Sequence, residues 1–76
     1  MRVTYYLGME PHKTNVAFNV WYTMGSNMDY SVFRSSKTPE LIIIALTMHE
    51  NDYNEVLIVD RIVKSTGCQV SMKKHK

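Results

Sequence analysis

The segment Thr38–Met48 reads TPELIIIALTM and contains the densest run of aliphatic side chains in the chain. Thr38 is a residue type that caps the free amides at the start of a helix, and Pro39 suits the first helical position. Glu40 follows, where the helix dipole favours an anion. These boundary residues predict a helix over 38–48.

The apolar surface of this predicted helix is wider than one contact with a sheet requires. On a helical wheel its apolar arc spans roughly 200°. Ile43 falls on the polar side of the wheel, together with Glu40 and Glu50. We therefore expect Ile43 to be exposed or covered by another chain.

Three segments before this helix alternate along the chain with the period of a strand. They are Arg2–Leu7, Val16–Thr23 and Met28–Arg34. Residues 25–27, Gly-Ser-Asn, supply the positive φ angles that a short hairpin between the second and third strands would use. The alternation places the aromatic side chains of Tyr6, Trp21 and Phe33 on the outer face of the predicted sheet.

Residues 55–64, EVLIVDRIVK, favour a strand because they are rich in β-branched side chains. A second helix is the alternative, since Asn54 could cap its start and Gly67 could follow its end. Cys68–Met72 is predicted as a last strand. The resulting order is β-β-β-α-β-β, an α+β fold in which one helix packs on an antiparallel sheet of about five strands.

The 76 residues are enough for one domain, predicted over residues 1–72, with a basic tail at 73–76. A chain this short buries only about 60% of its unfolded surface, so a second subunit would add to a thin stability margin. The single cysteine, Cys68, excludes an internal disulfide and favours a reducing compartment. The first residues do not resemble a signal peptide, and the longest apolar run is too short to span a bilayer. We therefore expect a cytoplasmic protein that does not contact a membrane.

The sequence predicts no enzyme, no cofactor and no metal site. The three histidines fall in separate segments, and Cys68 has no nearby thiol or histidine partner. The glycines stand alone, so none forms a phosphate-binding loop. We interpret Cys68 as a small buried apolar residue.

The composition instead favours a protein-binding module that forms a homodimer and inhibits or modulates a larger partner by steric occupation. The chain has too few residues to cover two apolar faces, and its predicted helix is apolar over more than half of its circumference. We expect partner contacts from Tyr6, Trp21, Phe33 and Ile43, and from a negative spot at Glu50, Asp52 and Glu55. Inhibitors of host enzymes or defence systems, encoded by phages and mobile elements, are a familiar population of this size.

The alternative is a protein that binds single-stranded RNA. Outer-face aromatic side chains could stack bases, with phosphate contacts from Arg61, Lys64, Lys73, Lys74 and Lys76. The ribonucleoprotein pattern, however, has two helices and a more basic composition than the net charge of +2 found here. Trp21 and Phe33 could instead fill a dimer interface or a second small core.

Overall fold

The computed structural model describes residues 1–76 and contains one antiparallel sheet and two α-helices. The elements are β1 (Arg2–Met9), a 3-10 turn (Pro11–Lys13), α1 (Thr14–Met24), β2 (Asp29–Arg34), β3 (Ile42–His49), α2 (Tyr53–Thr66) and β4 (Gln69–His75). The strand order is β2-β3-β1-β4, with every neighbouring pair antiparallel. The predicted α+β class and antiparallel sheet are confirmed. The predicted count of about five strands and one helix is wrong, because the chain forms four strands and two helices.

The segment predicted as the helix is the central strand β3. Pro39 lies in a tight turn in which the Leu41 amide donates to the Thr38 carbonyl at 2.8 Å. Proline suits the second position of such a turn as well as it suits the start of a helix. Strand β3 is flanked by β1 and β2 and packed under both helices, so its continuous aliphatic run belongs to a central strand.

The predicted strand Val16–Thr23 is part of helix α1. Pro11 begins the 3-10 turn that leads into the helix, and Gly25 ends it in a left-handed conformation with φ of 69°. The Gly25 amide donates to the carbonyls of Trp21 and Tyr22. Proline near the start and glycine just past the end are typical of a helix. Tyr22, near the end of this helix, is 85% exposed.

The predicted strand over residues 55–64 is also wrong, and the helical alternative is correct. In α2 the Asp52 side chain, not that of Asn54, caps the helix by accepting from the Glu55 amide at 3.2 Å. Gly67 ends the helix as expected, with φ of 65° and its amide donating to the Val63 carbonyl.

The other three predicted strands are confirmed with small changes in their bounds. Strand β4 continues through Lys73 and Lys74 to His75, so most of the predicted basic tail pairs with β1. Neither α-helix has the length and apolar composition needed to cross a bilayer.

Both helices pack on one side of the sheet and form the hydrophobic core with it. The sheet contributes alternate residues of its two central strands, and α2 contributes one apolar stripe. The core cluster contains Val3, Leu7, Met9, Ala17, Met28, Ile44, Leu46, Met48, Ile58, Val59 and Ile62. No helix covers the opposite side of the sheet.

Candidate protein-binding surface

The side of the sheet away from the helices is here called the open face. Because alternate strand residues point to opposite sides, the core residues of β1 and β3 define which side chains belong to it. By register, it comprises Arg2, Thr4, Tyr6 and Gly8 of β1, Asp29, Ser31 and Phe33 of β2, Ile43, Ala45, Thr47 and His49 of β3, and Gln69, Ser71, Lys73 and His75 of β4.

One half of the open face is apolar. Phe33 is paired with Ile43 across β2 and β3, and Ile43 is paired with Gly8 across β3 and β1. Tyr6, two residues before Gly8, is on the same face. We call Tyr6, Phe33 and Ile43 the apolar cluster. Phe33 is 48% exposed, and the other two are half-buried. The sheet thus brings together three of the four hydrophobic residues that the sequence predicted as partner contacts.

Gly8 forms the floor of a shallow depression beside this cluster. The depression has a volume of about 180 Å³, with Tyr6, Ile43, Gln69 and Ser71 among its lining residues. A Cβ atom on Gly8 would lie 3.3 Å from the Ile43 Cδ1 atom, which is tighter than ordinary van der Waals contact. Because Gly8 has no side chain, the Ile43 side chain can approach the backbone of β1 closely, and the depression stays open.

The other half of the open face is polar and hydrogen-bonded. The Thr4 hydroxyl forms hydrogen bonds of 2.8 Å with the Thr47 hydroxyl and with the His75 Nε2 atom. These bonds link β3, β1 and β4 through their side chains, and Thr4 itself is only 5% exposed. Arg2 donates to Asp29 at 3.2 Å at the same end of the face. The apolar cluster thus borders a polar region.

Trp21 is not on the open face, and its predicted position is wrong. It belongs to α1, on the opposite side of the sheet, where its ring meets that of Tyr30 edge-on with centroids 4.6 Å apart. Phe18 lies 6.3 Å from it. The sequence prediction placed Trp21 beside Tyr6 and Phe33 because it treated residues 16–23 as a strand.

The three acidic residues predicted as a negative spot lie around the start of α2, and each contacts a group within the chain. Glu50 forms a 3.0 Å ion pair with Lys74. Asp52 caps α2, and Glu55 accepts a 3.0 Å hydrogen bond from the Ser26 hydroxyl. These contacts give the acidic residues local structural roles, and they lie outside the open face.

The cations predicted to contact phosphates are divided between the two layers. Arg61 and Lys64 belong to α2, and Lys64 pairs with Asp60 at 3.0 Å. Lys73 is on the open face, whereas Lys74 points to the helix side and pairs with Glu50. Lys76 follows the end of β4. The predicted basic set therefore does not form a single patch.

The sequence prediction missed Gly8, Ala45, Thr47 and His75 as members of this surface. An isolated glycine between Leu7 and Met9 is itself a signal of close approach inside a strand. Thr47 and His75 were assigned to a helix and a tail, so their meeting at Thr4 could not be predicted. The structure contains no group of three or more His, Cys, Asp or Glu side chains placed to hold a metal ion.

The order β-α-β-β-α-β with this antiparallel sheet is the ferredoxin-like fold. No family model and no curated protein matches the sequence. Solved structures of the same fold include the de novo designed protein Foldit4, at a TM-score of 0.65 and 10% identity over 100% of both chains.

Two natural structures show the same likeness. The regulatory subunit of aspartate kinase from Thermus thermophilus has a TM-score of 0.59 and 14% identity, and the match covers 95% of this chain and 50% of that one. A putative antibiotic biosynthesis monooxygenase from Bordetella bronchiseptica has a TM-score of 0.52 and 12% identity, over 99% of this chain and 97% of that one. At these identities the likeness concerns the fold alone.

Proposed function

We propose that this chain is a non-enzymatic protein-binding module that docks its open face on a larger protein and inhibits or modulates that protein by occupying its surface. The observation that carries the proposal is the apolar cluster. Tyr6, Phe33 and Ile43 are adjacent on a sheet face that no helix covers, and Phe33 is 48% exposed. Aromatic and aliphatic anchors of this type dominate the energies of protein interfaces.

The polar half of the face supports the same function. Interfaces typically surround an apolar centre with polar groups that remain near solvent. Here Ser31, Thr47 and Lys73 border the apolar cluster on the same side of the sheet. Four strands of six to eight residues, at about 3.3 Å per residue and about 4.8 Å apart, give a face of roughly 450 Å². A partner would cover it and the adjoining loops to reach the ~800 Å² per side of a stable interface.

The proposal is tested by capture from an extract of the native host with immobilised wild-type chain, followed by mass spectrometry. Phe33→Ser and Ile43→Ser remove the apolar anchors and leave the core cluster intact. Tyr22→Ala is the matched control, because Tyr22 is 85% exposed on α1, on the opposite side of the molecule. We expect the same protein to be retained by wild type and Tyr22→Ala and lost with both serine variants. Equal retention by all four folded chains would refute the proposal.

A second candidate function is binding of single-stranded RNA on the same face. It is supported by the two helices and by Tyr6 and Phe33 on an open four-stranded sheet that also carries Lys73. The division of the other cations between the two layers does not support it. A gel shift with a single-stranded RNA oligonucleotide at two salt concentrations separates the candidates. A shift that weakens steeply as salt rises would favour RNA, and no shift at low salt would remove that class.

A further inference from the structure

Strand β2 is an edge strand with hydrophobic side chains on both of its sides. It pairs only with β3, and all six of its residues are exposed. Tyr30 and Val32, on the helix side, are 57% and 45% exposed, and Phe33, on the open face, is 48% exposed. An exposed edge strand with apolar residues is a template for pairing with another strand.

The main-chain groups available at this edge belong to alternate residues. The Ser35 amide donates to the Leu41 carbonyl at 3.0 Å, in the same register that pairs Phe33 with Ile43. Hydrogen bonding alternates along an antiparallel pair, so Phe33 and Ser31 direct their main-chain groups toward β3. Tyr30, Val32 and Arg34 therefore direct their amides and carbonyls outward, toward the free edge.

The two edges of the sheet differ in how well they resist pairing. Strand β4 carries Lys73 and Lys74, and lysine is a residue that natural edge strands use to block association. Strand β2 contains no lysine and no proline, and its charged residues, Asp29 and Arg34, are at its two ends. The free edge of β2 thus lacks the protection that β4 has.

We propose that β2 pairs antiparallel with β2 of a second copy of this chain and joins the two sheets into one continuous sheet of eight strands. A two-fold axis at Val32 sets Val32 opposite its counterpart and Tyr30 opposite Arg34 of the other copy. All outward main-chain groups of both strands are then paired, in about six hydrogen bonds. In this register Tyr30 of each copy and Arg34 of the other are both exposed and lie on the same side of the sheet. Each cation therefore meets an aromatic side chain and no like charges face each other, which favours a second copy as the occupant.

The test is sedimentation velocity of the full chain over about 1 µM to about 1 mM, the range of weak complexes. Val32→Lys and Val32→Glu each place like charges directly across the two-fold axis, where they repel. We expect wild type to dimerise with rising concentration and each variant to remain a monomer. An equimolar mixture of the two variants should dimerise again, because opposite charges then face each other.

Val32→Thr is the matched control, since it keeps the branched shape and the amide and should dimerise like wild type. Ile43→Ser alters the open face without touching the free edge and should also dimerise. Circular dichroism confirms that each variant is folded. A monomeric wild type, a mixture that stays monomeric, or dimerisation lost with Ile43→Ser and kept with Val32→Lys would each overturn the proposal.

Discussion

The indole ring of Trp21 meets the ring of Tyr30 edge-on, with centroids 4.6 Å apart, and this contact joins helix α1 to the edge strand β2. Phe18 contacts the same tyrosine at 5.7 Å, so three aromatic rings form one cluster between helix and sheet. Edge-to-face aromatic pairs stabilise a fold beyond the area that they bury. Trp21 therefore stabilises the packing of α1 on the sheet, away from the open face.

Trp21→Ala should lower the free energy of unfolding by about 2 to 4 kcal/mol, because it removes a large aromatic side chain from this cluster. Urea unfolding followed by circular dichroism measures the change. Tyr22→Ala is the control: the neighbouring tyrosine is 85% exposed, so its loss should cost less than about 0.5 kcal/mol. Equal stability of the two variants would show that the aromatic cluster does not support the fold.

Asp52→Ala should destabilise the chain by about 1 kcal/mol, because it removes the carboxylate that accepts from the Glu55 amide at the start of α2. Asn54→Ala, within the first turn, leaves that hydrogen bond in place and should have little effect. Thermal and urea unfolding of the two variants provide the comparison. A larger loss of stability with Asn54→Ala than with Asp52→Ala would show that Asn54 caps the helix, as the sequence alone suggested.

The hydroxyls of Thr4 and Thr47 should show coupling in a double-mutant cycle. Thr4→Val leaves the Thr47 hydroxyl and the His75 Nε2 atom without their 2.8 Å partner, at a cost of about 1 to 2 kcal/mol. Adding Thr47→Val should cost less than it does in the wild-type background, since an apolar pair then replaces a bonded one. Urea unfolding of the four chains gives the coupling energy, and strict additivity would argue against the hydrogen bond between the two threonines.

The sequence was sufficient to predict the class of fold and the strands at both ends of the chain. Inward-facing and outward-facing residue types alternate clearly over Arg2–Leu7, and this segment forms most of β1. The alternation also placed Tyr6 and Phe33 on one face of the sheet, which is correct. Period-2 alternation is informative for these strands because one of their sides packs on the helices and the other does not.

The exchange of helix and strand in the middle of the chain has a physical cause. Strand β3 carries apolar side chains on both of its sides from Ile42 to Leu46, so this run has no alternation and resembles a buried helix. Val16–Thr23 has strand-like alternation, but tertiary packing of Ala17, Phe18 and Trp21 on the sheet selects the helix. The flanking residues Pro11 and Gly25 were the better indication of a helix. Proline is common near the start of a helix and glycine just past its end, and these two residues lie at those positions.

The candidate surface could be predicted only in part, since it depends on which strands are neighbours. Gly8 faces Ile43 only because β1 pairs with β3, and His75 reaches Thr4 only because β4 pairs with β1. Each pairing joins residues far apart in the chain. Local periodicity carries no information about such pairings, so the depression over Gly8 and the Thr4 network become apparent only in the folded chain.

The measurement that tests the central claim most directly is the affinity of the captured partner for wild type and for Phe33→Ala, by isothermal titration calorimetry, with both chains shown to be folded. If the apolar cluster is the binding site, Phe33→Ala should weaken binding by about 1 to 3 kcal/mol, roughly 5-fold to 150-fold in the dissociation constant. Trp21→Ala, compared per folded molecule, should bind like wild type. An unchanged affinity of Phe33→Ala would contradict the assignment of the open face as the binding surface.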